Sequence, residues 1–280
     1  LDVLSSSNNL ATGYRCLGRY VDAAQMDEQA LSIRKRVQGV EHPDTLSNRT
    51  NLASGYRDLG LVEEAVRLDE ETLGIMERVL GMEHLNTLTN RSNLAIDYHS
   101  LGRHDEAVRL DVESLRVRER LLGSEHLESL SSRNNLANGY HLLGQYEEAT
   151  RLFEETLIAR EGILGPEHPD TLQSRNNLAI AYQSLGRSNE AVQLWNETVS
   201  IRERLLGPDH PDTLTTRSNL AGGYRDLGWY EEAVRIDEQT LSALERVLGT
   251  EHPDVLTSRN NLAIGYGSLG RYDEALWIYE

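Results

Sequence analysis

Two residue types recur in this 280-residue chain at places where they could do chemistry. Histidine stands at His42, His84, His126, His168, His210 and His252, and asparagine at Asn9, Asn51, Asn93, Asn135, Asn177, Asn219 and Asn261. Imidazole is a common metal ligand. An amide donates and accepts at once, which suits pairing with the backbone of an extended polypeptide. Spacing separates the two readings. A metal needs ligands converging within one small volume, whereas these histidines belong to successive turns spaced evenly along the chain. Each is expected at a helix start, with no metal and no cofactor. Acid pairs such as Glu63–Glu64 open the second helix in five of the seven repeats, where negative charge meets the positive end of the helix dipole. Cys16 is the only cysteine, so no intramolecular disulfide forms and an oxidising compartment is not required. Nothing resembles a phosphate loop, a nucleophile elbow or a zinc motif. Catalysis would need a cluster of titratable groups peculiar to one repeat. None is visible, and the chain is expected not to be an enzyme.

The elements that carry these residues follow from the same period. Tyrosine recurs at the histidine interval from Tyr14 to Tyr266 and alanine from Ala23 to Ala275, with no insertion or deletion. Residues 43–60 show the logic. Pro43 suits a first helical turn, where its missing N–H is not needed. Asp44 favours the helix N-terminus. Leu46, Leu52, Ala53, Tyr56 and Leu59 recur at helical spacing. Gly60 provides a left-handed cap. A second helix from about Leu61 to Leu80 carries the stripe Ala65, Leu68, Thr72, Ile75 and Val79, and Gly81 closes it. Small residues at Ala53, Ala65 and Thr72 allow close helix approach. Leu85 and Leu127 replace the proline in two repeats and remove one start signal.

Helices of about 16 and 19 residues joined by short turns pack antiparallel. A single pair cannot bury its apolar face, so pairs stack. The reading is all-α: one repeat array over 1–280, with units 1–42, 43–84, 85–126, 127–168, 169–210, 211–252 and 253–280, the last truncated. It contains seven first helices and six complete second helices. The chain lacks an initiator Met and a polar capping repeat at either end. It is therefore expected to be part of a longer protein and to self-associate end to end through its uncapped termini.

Composition narrows the partners. Twenty-eight basic against 45 acidic residues give a net charge of −17, which opposes nucleic acid and anionic membrane surfaces and permits a basic partner. Lys35 is the only lysine. No stretch is long and apolar enough to span a bilayer, no signal peptide is visible, and the expected compartment is the cytoplasm.

Leu52, Ala53 and Tyr56 of NLASGY, together with Gly60 and Ala65, stand at the signature positions of the tetratricopeptide repeat, which the chain resembles throughout. The 42-residue period, longer than the usual ~34, and the linker EHPDTL resemble the kinesin light chain type. They also resemble arrays beside nucleotide-binding signalling domains in fungi and bacteria. The resemblance implies a right-handed α-α superhelix whose first helices line a concave groove, with the equivalent asparagines on the backbone of a bound peptide. The other reading of the ladder is that each Asn holds repeat spacing. Specificity would come from varying rows on the same face. One contains Asn134 and Asn176, a second Asn138 with Ile96, Ile180 and Ile264, and a third Arg57, His99, His141 and Arg225, which could meet acidic groups. The family's usual aromatic positions are occupied by Arg49 and its equivalents and by Asp27, Asp69, Asp111 and Asp237, so an Arg–Asp pair is expected to replace an aromatic pair there. The implied function is a protein-interaction scaffold binding a peptide or helix. The alternatives are a sensor array of a larger signalling nucleotide hydrolase and a kinesin-light-chain-like cargo adaptor.

Overall fold

The computed structural model describes residues 10–15 and 17–278. Residues 10–15 are helical. They are followed by α1 (Tyr20–Val37), α2 (Pro43–Asp58), α3 (Val62–Val79), α4 (Leu85–Ser100), α5 (His104–Leu122), α6 (Leu127–Leu142), α7 (Tyr146–Leu164), α8 (Pro169–Ser184), α9 (Ser188–Leu206), α10 (Pro211–Asp226), α11 (Tyr230–Leu248), α12 (Pro253–Ser268) and α13 (Tyr272–Trp277). No strand occurs among the described residues. Even-numbered helices are the first, and odd-numbered helices the second, of each repeat.

Two compact units divide at Leu143/Gly144. Within each, every helix packs on its neighbours in sequence, and first helices also touch across a repeat, α2 on α4 and α8 on α10. This is the stacked, nearest-neighbour packing of a solenoid.

Every even-numbered helix starts the same way. The Nδ1 of His42, His84, His126, His168, His210 and His252 accepts the backbone N–H two residues on, at 3.1–3.2 Å. The histidines are N-caps, satisfying a donor that the first turn leaves free. Leu85 and Leu127 therefore begin helices at the same register as the prolines. The turn after α2 closes when the N–H of Leu61 reaches the carbonyl of Tyr56 across Gly60 at φ 76°, a Schellman closure. The second helices end differently: Gly165 lies at φ 87°, ψ 163°, a region only glycine occupies readily.

The buried faces differ from the expected stripes. Leu46, Leu52 and Ala53 are buried as expected, while Tyr56 and Leu59 are half-buried. On α3 the buried line is Ala65, Val66, Asp69, Thr72 and Met76. Leu68 and Ile75 are half-buried, and Val79 is exposed. The line includes a carboxylate because a polar partner waits opposite it, which hydrophobicity alone does not reveal. Close approach also needs small residues. A Cβ on Gly223 would lie 2.7 Å from Val192 and 2.9 Å from Trp195 of the preceding repeat.

Candidate functional site

The charged groups are the first thing the fold accounts for. The four aspartates in the interior of the second helices each face the basic side chain twelve residues earlier in the same repeat: Arg15 with Asp27, Arg57 with Asp69 at 3.9 Å, His99 with Asp111 at 3.7 Å, and Arg225 with Asp237 at 2.5 Å. Where the aspartate gives way to Phe153 or Trp195, the earlier position is His141 or Gln183, and burial lowers the His141 pKa from 6.5, favouring the neutral ring. Arginine or His99 with aspartate, and His141 or Gln183 with an aromatic, are therefore the combinations found within a repeat. Arg57 and Arg225, expected to face a partner, are engaged internally.

The expected partnership of Arg49 with aspartate is not what forms. Arg91, Arg133, Arg175, Arg217 and Arg259 each pair with the glutamate fourteen residues earlier, on the preceding repeat's second helix, at 2.5–2.7 Å. For Arg49 that place holds Lys35. Arg49 turns instead to Glu71 and Thr72 of its own repeat, at 2.7 and 2.8 Å. Arg91 and Arg175 also reach the glutamate of their own repeat, Glu113 at 3.7 Å and Glu197 at 3.3 Å, so Lys35 removes one of two partners and leaves Arg49 the other.

One junction gathers acids. Asp69 and Asp97 are fully buried around the single Arg57, which pairs with both. Asn90 donates to Asp69 at 2.5 Å and to Thr50 at 3.2 Å. Burial, reinforced by the neighbouring Asp97 charge, pushes the Asp69 carboxyl up to about 8. Asp237, with Arg225 to itself, reaches only about 6.

The asparagine ladder is half-buried at Asn51, Asn93, Asn135, Asn177, Asn219 and Asn261, while Asn9 lies outside the described residues. Its members differ in engagement. Asn219 donates to the Asn176 oxygen at 3.0 Å, and Asn177 accepts from Gln173 at 2.9 Å. Among the described residues, no side-chain hydrogen bond engages Asn93, Asn135 or Asn261. Asn176 is 5% exposed, and its oxygen also accepts from buried Trp195. That amide holds packing together rather than facing a groove. Asn134 is half-buried and has a partner within the protein.

Two clefts open along the ladder. In the first unit, Ile96, His99, Asn135, Asn138 and Leu142 line one of about 330 Å³. In the second, Asn219 and Asn261 border one of about 180 Å³. His99 and Asp111 of the first also belong to a cluster, with His104 beside them, that the sequence reading missed. The Nδ1 atoms of His99 and His104 lie 3.2 Å apart, and His99 Nε2 faces buried Asp111. The ring centroids are 5.5 Å apart, so the two nitrogens point straight at each other. Ser100 in the same cleft donates to the Ile96 carbonyl, not to an imidazole. Two histidines five residues apart across the turn were the available signal. Among the described residues no group of three or more side chains could hold a metal, and no helix is long and apolar enough to cross a membrane.

Comparison with known proteins agrees with this architecture. The tetratricopeptide repeat model matches overlapping stretches 2–78, 45–120, 92–157, 128–194, 183–246 and 216–280. No curated protein sequence matches the chain. Among solved structures, the nearly identical TPR-like repeats of a kinesin light chain candidate from Podosopora anserina are 35% identical, over 74% of this chain and 99% of that one, with TM-score 0.63. The apo form of the quorum sensor NprR from B. thuringiensis is 16% identical over 99% of this chain and 74% of its own, with TM-score 0.76. A signal transduction ATPase with a tetratricopeptide repeat sensor from Pyrococcus horikoshii is 16% identical over 98% of this chain and 41% of its own, with TM-score 0.67. The two more distant likenesses concern the fold alone. With a family model spanning nearly its whole length and a relative at 35% identity, the chain belongs to the tetratricopeptide repeat family.

Proposed function

We propose that this chain is a binding scaffold that holds an extended polypeptide segment along its first helices, with the asparagine ladder on the segment's backbone. The observation that carries the reading is the unequal engagement of the ladder. Residues that only fixed repeat spacing would all be bonded alike, yet the amides of Asn93, Asn135 and Asn261 are half-buried without a side-chain partner among the described residues. Asn135 borders one open cleft and Asn261 the other. An amide held this way meets both the N–H and the C=O of a passing backbone. Asn138, Ile96 and Ile264 line or flank the same face and vary between repeats, so they would read side chains. The scaffold needs no catalytic group.

Peptide display on this chain, repeated with Asn93, Asn135 and Asn261 all changed to alanine, tests the reading. Selected peptides should be lost in the triple variant at an unchanged melting temperature. Peptides that bind both proteins equally would sink the ladder as a binding element. A second reading, a cargo adaptor, rests on the 35% identical kinesin light chain candidate. A heptad-repeat coiled coil encoded in the same gene would support it.

A further inference from the structure

A row of buried arginines joins successive repeats. Arg118, Arg160 and Arg202 are 3–6% exposed, and each ends on a hydroxyl of the next first helix. Arg118 donates to Ser92 at 2.9 Å and to Ser132 at 2.5 Å. Arg160 donates to Ser174 at 2.8 Å and to the Asp170 carbonyl at 3.1 Å. Arg202 donates to Thr216 at 2.6 Å, to the Asp212 carbonyl at 2.8 Å and to Gln173 at 3.4 Å. The fold thus builds one guanidinium socket at several junctions. The hydroxyl recurs at all three, and at Arg202 the socket also has a first-turn carbonyl and a residue on the facing helix.

At the junction of α10, α11 and α12 the socket is present and its arginine is not. Leu244 stands one full repeat beyond Arg202. The acceptors that Arg202 uses have counterparts at the same interval in Thr215, Asp254 and Ser258, and these line the 180 Å³ cleft with Leu214 and Leu244. Ser258 is 3% exposed, and its Oγ has no hydrogen-bond partner. An unmet buried hydroxyl is unfavourable. Met76 also replaces an arginine of this row, but there the hydroxyl has become Asn90, whose amide is bonded to Asp69 and Thr50.

We infer that this cleft is a guanidinium site vacated by a single substitution, and that it receives an arginine side chain from a polypeptide partner. The planar guanidinium presents several N–H donors to the hydroxyl and carbonyl acceptors. Its stem lies against Leu214 and Leu244, and the Asp254 carboxylate supplies opposite charge. A lysine ammonium, compact and strongly hydrated, fits less well. Asn219 and Asn261 border the cleft, so a segment held along the ladder brings its side chain to the opening. The inference rests on the peptide reading to that extent.

The test is calorimetric titration with capped Gly-Gly-Arg-Gly-Gly and its lysine and citrulline counterparts. Four proteins are used: the chain itself, Leu244→Arg, Ser258→Ala, and the Asn93→Ala/Asn135→Ala pair, which lies away from the cleft. The arginine peptide should bind about tenfold more tightly than either counterpart. Leu244→Arg, restoring the internal contact, should abolish binding and raise the melting temperature. Ser258→Ala should weaken binding severalfold, and keeps the question decidable should Leu244→Arg fail to fold. Equal binding of arginine and lysine, no binding, or undiminished binding by Leu244→Arg or Ser258→Ala would overturn the socket. Survival of arginine binding in the Asn93/Asn135 variant separates the two readings. If display peptides then ignore the ladder substitutions, the socket stands and the ladder falls.

Discussion

Arg225 and Asp237 form the cleanest of the intra-repeat pairs, with the aspartate 1% exposed. Removing one partner of such a pair strands the other. Arg225→Gln is expected to destabilise by up to about 3 kcal/mol, less in acid, where Asp237 takes a proton. Adding Asp237→Trp should recover most of the loss, because it recreates the Gln183/Trp195 combination. Urea unfolding of the single and double variants decides this, and a double variant no better than the single would refute the pairing rule. Asp69 makes a pH prediction. Its carboxyl titrates at 3.8 when free and about 8 when folded. Between those values the folded state holds a proton that the unfolded state has lost, so this group's contribution to stability declines as pH rises. The melting temperature should fall from pH 5 to pH 8, and Asp69→Asn should flatten that fall. An unchanged slope would place the titration elsewhere.

Helices meet here through residues too small to hold them apart. Gly223 faces Val192 and Trp195 so closely that a methyl group meets carbon at 2.7 Å. Gly223→Ala should lower stability by about 1–3 kcal/mol despite its better helix propensity. The same change at Gly74, with nothing within 4 Å, should stabilise slightly. Thermal melts of the two variants moving the same way would contradict the packing account. Helix starts, lengths and glycine stops were legible in the sequence, because each depends on local rules acting at fixed positions. The histidine caps followed from the turn they share. The buried face of the second helices was not legible, because Asp69 and Arg118 lie inside only when a partner on another helix meets them. The Arg49 exception could have been read: Lys35 fourteen residues earlier was the clue, but only once the pairing interval was known.

Across the molecule the contacts are local, so removing one unit should leave the rest in register. Deleting residues 169–210 brings Arg160 opposite Thr216 instead of Ser174, and Arg217 opposite Glu161 instead of Glu203, all residues of matching type. The shortened chain should keep its ellipticity per residue and melt somewhat lower. Loss of the helical signal would end the modular description. Of the candidate site, the ladder's positions were visible in the sequence and the inequality of its members was not. Whether an amide is engaged depends on neighbours such as Gln173, which has no counterpart in the other repeats, and Asn176, which is matched in only some of them.

The twelve-residue pairing of cation with acid bears on how such an array changes length. A copy of a whole unit, gained or lost when misaligned repeats recombine, carries its own Arg15/Asp27-type or Gln183/Trp195-type couple intact. A crossover between the two members would join a charged half to a neutral one. Breakpoints inside that interval are therefore expected to be selected against, whereas a whole unit carries its own couple with it.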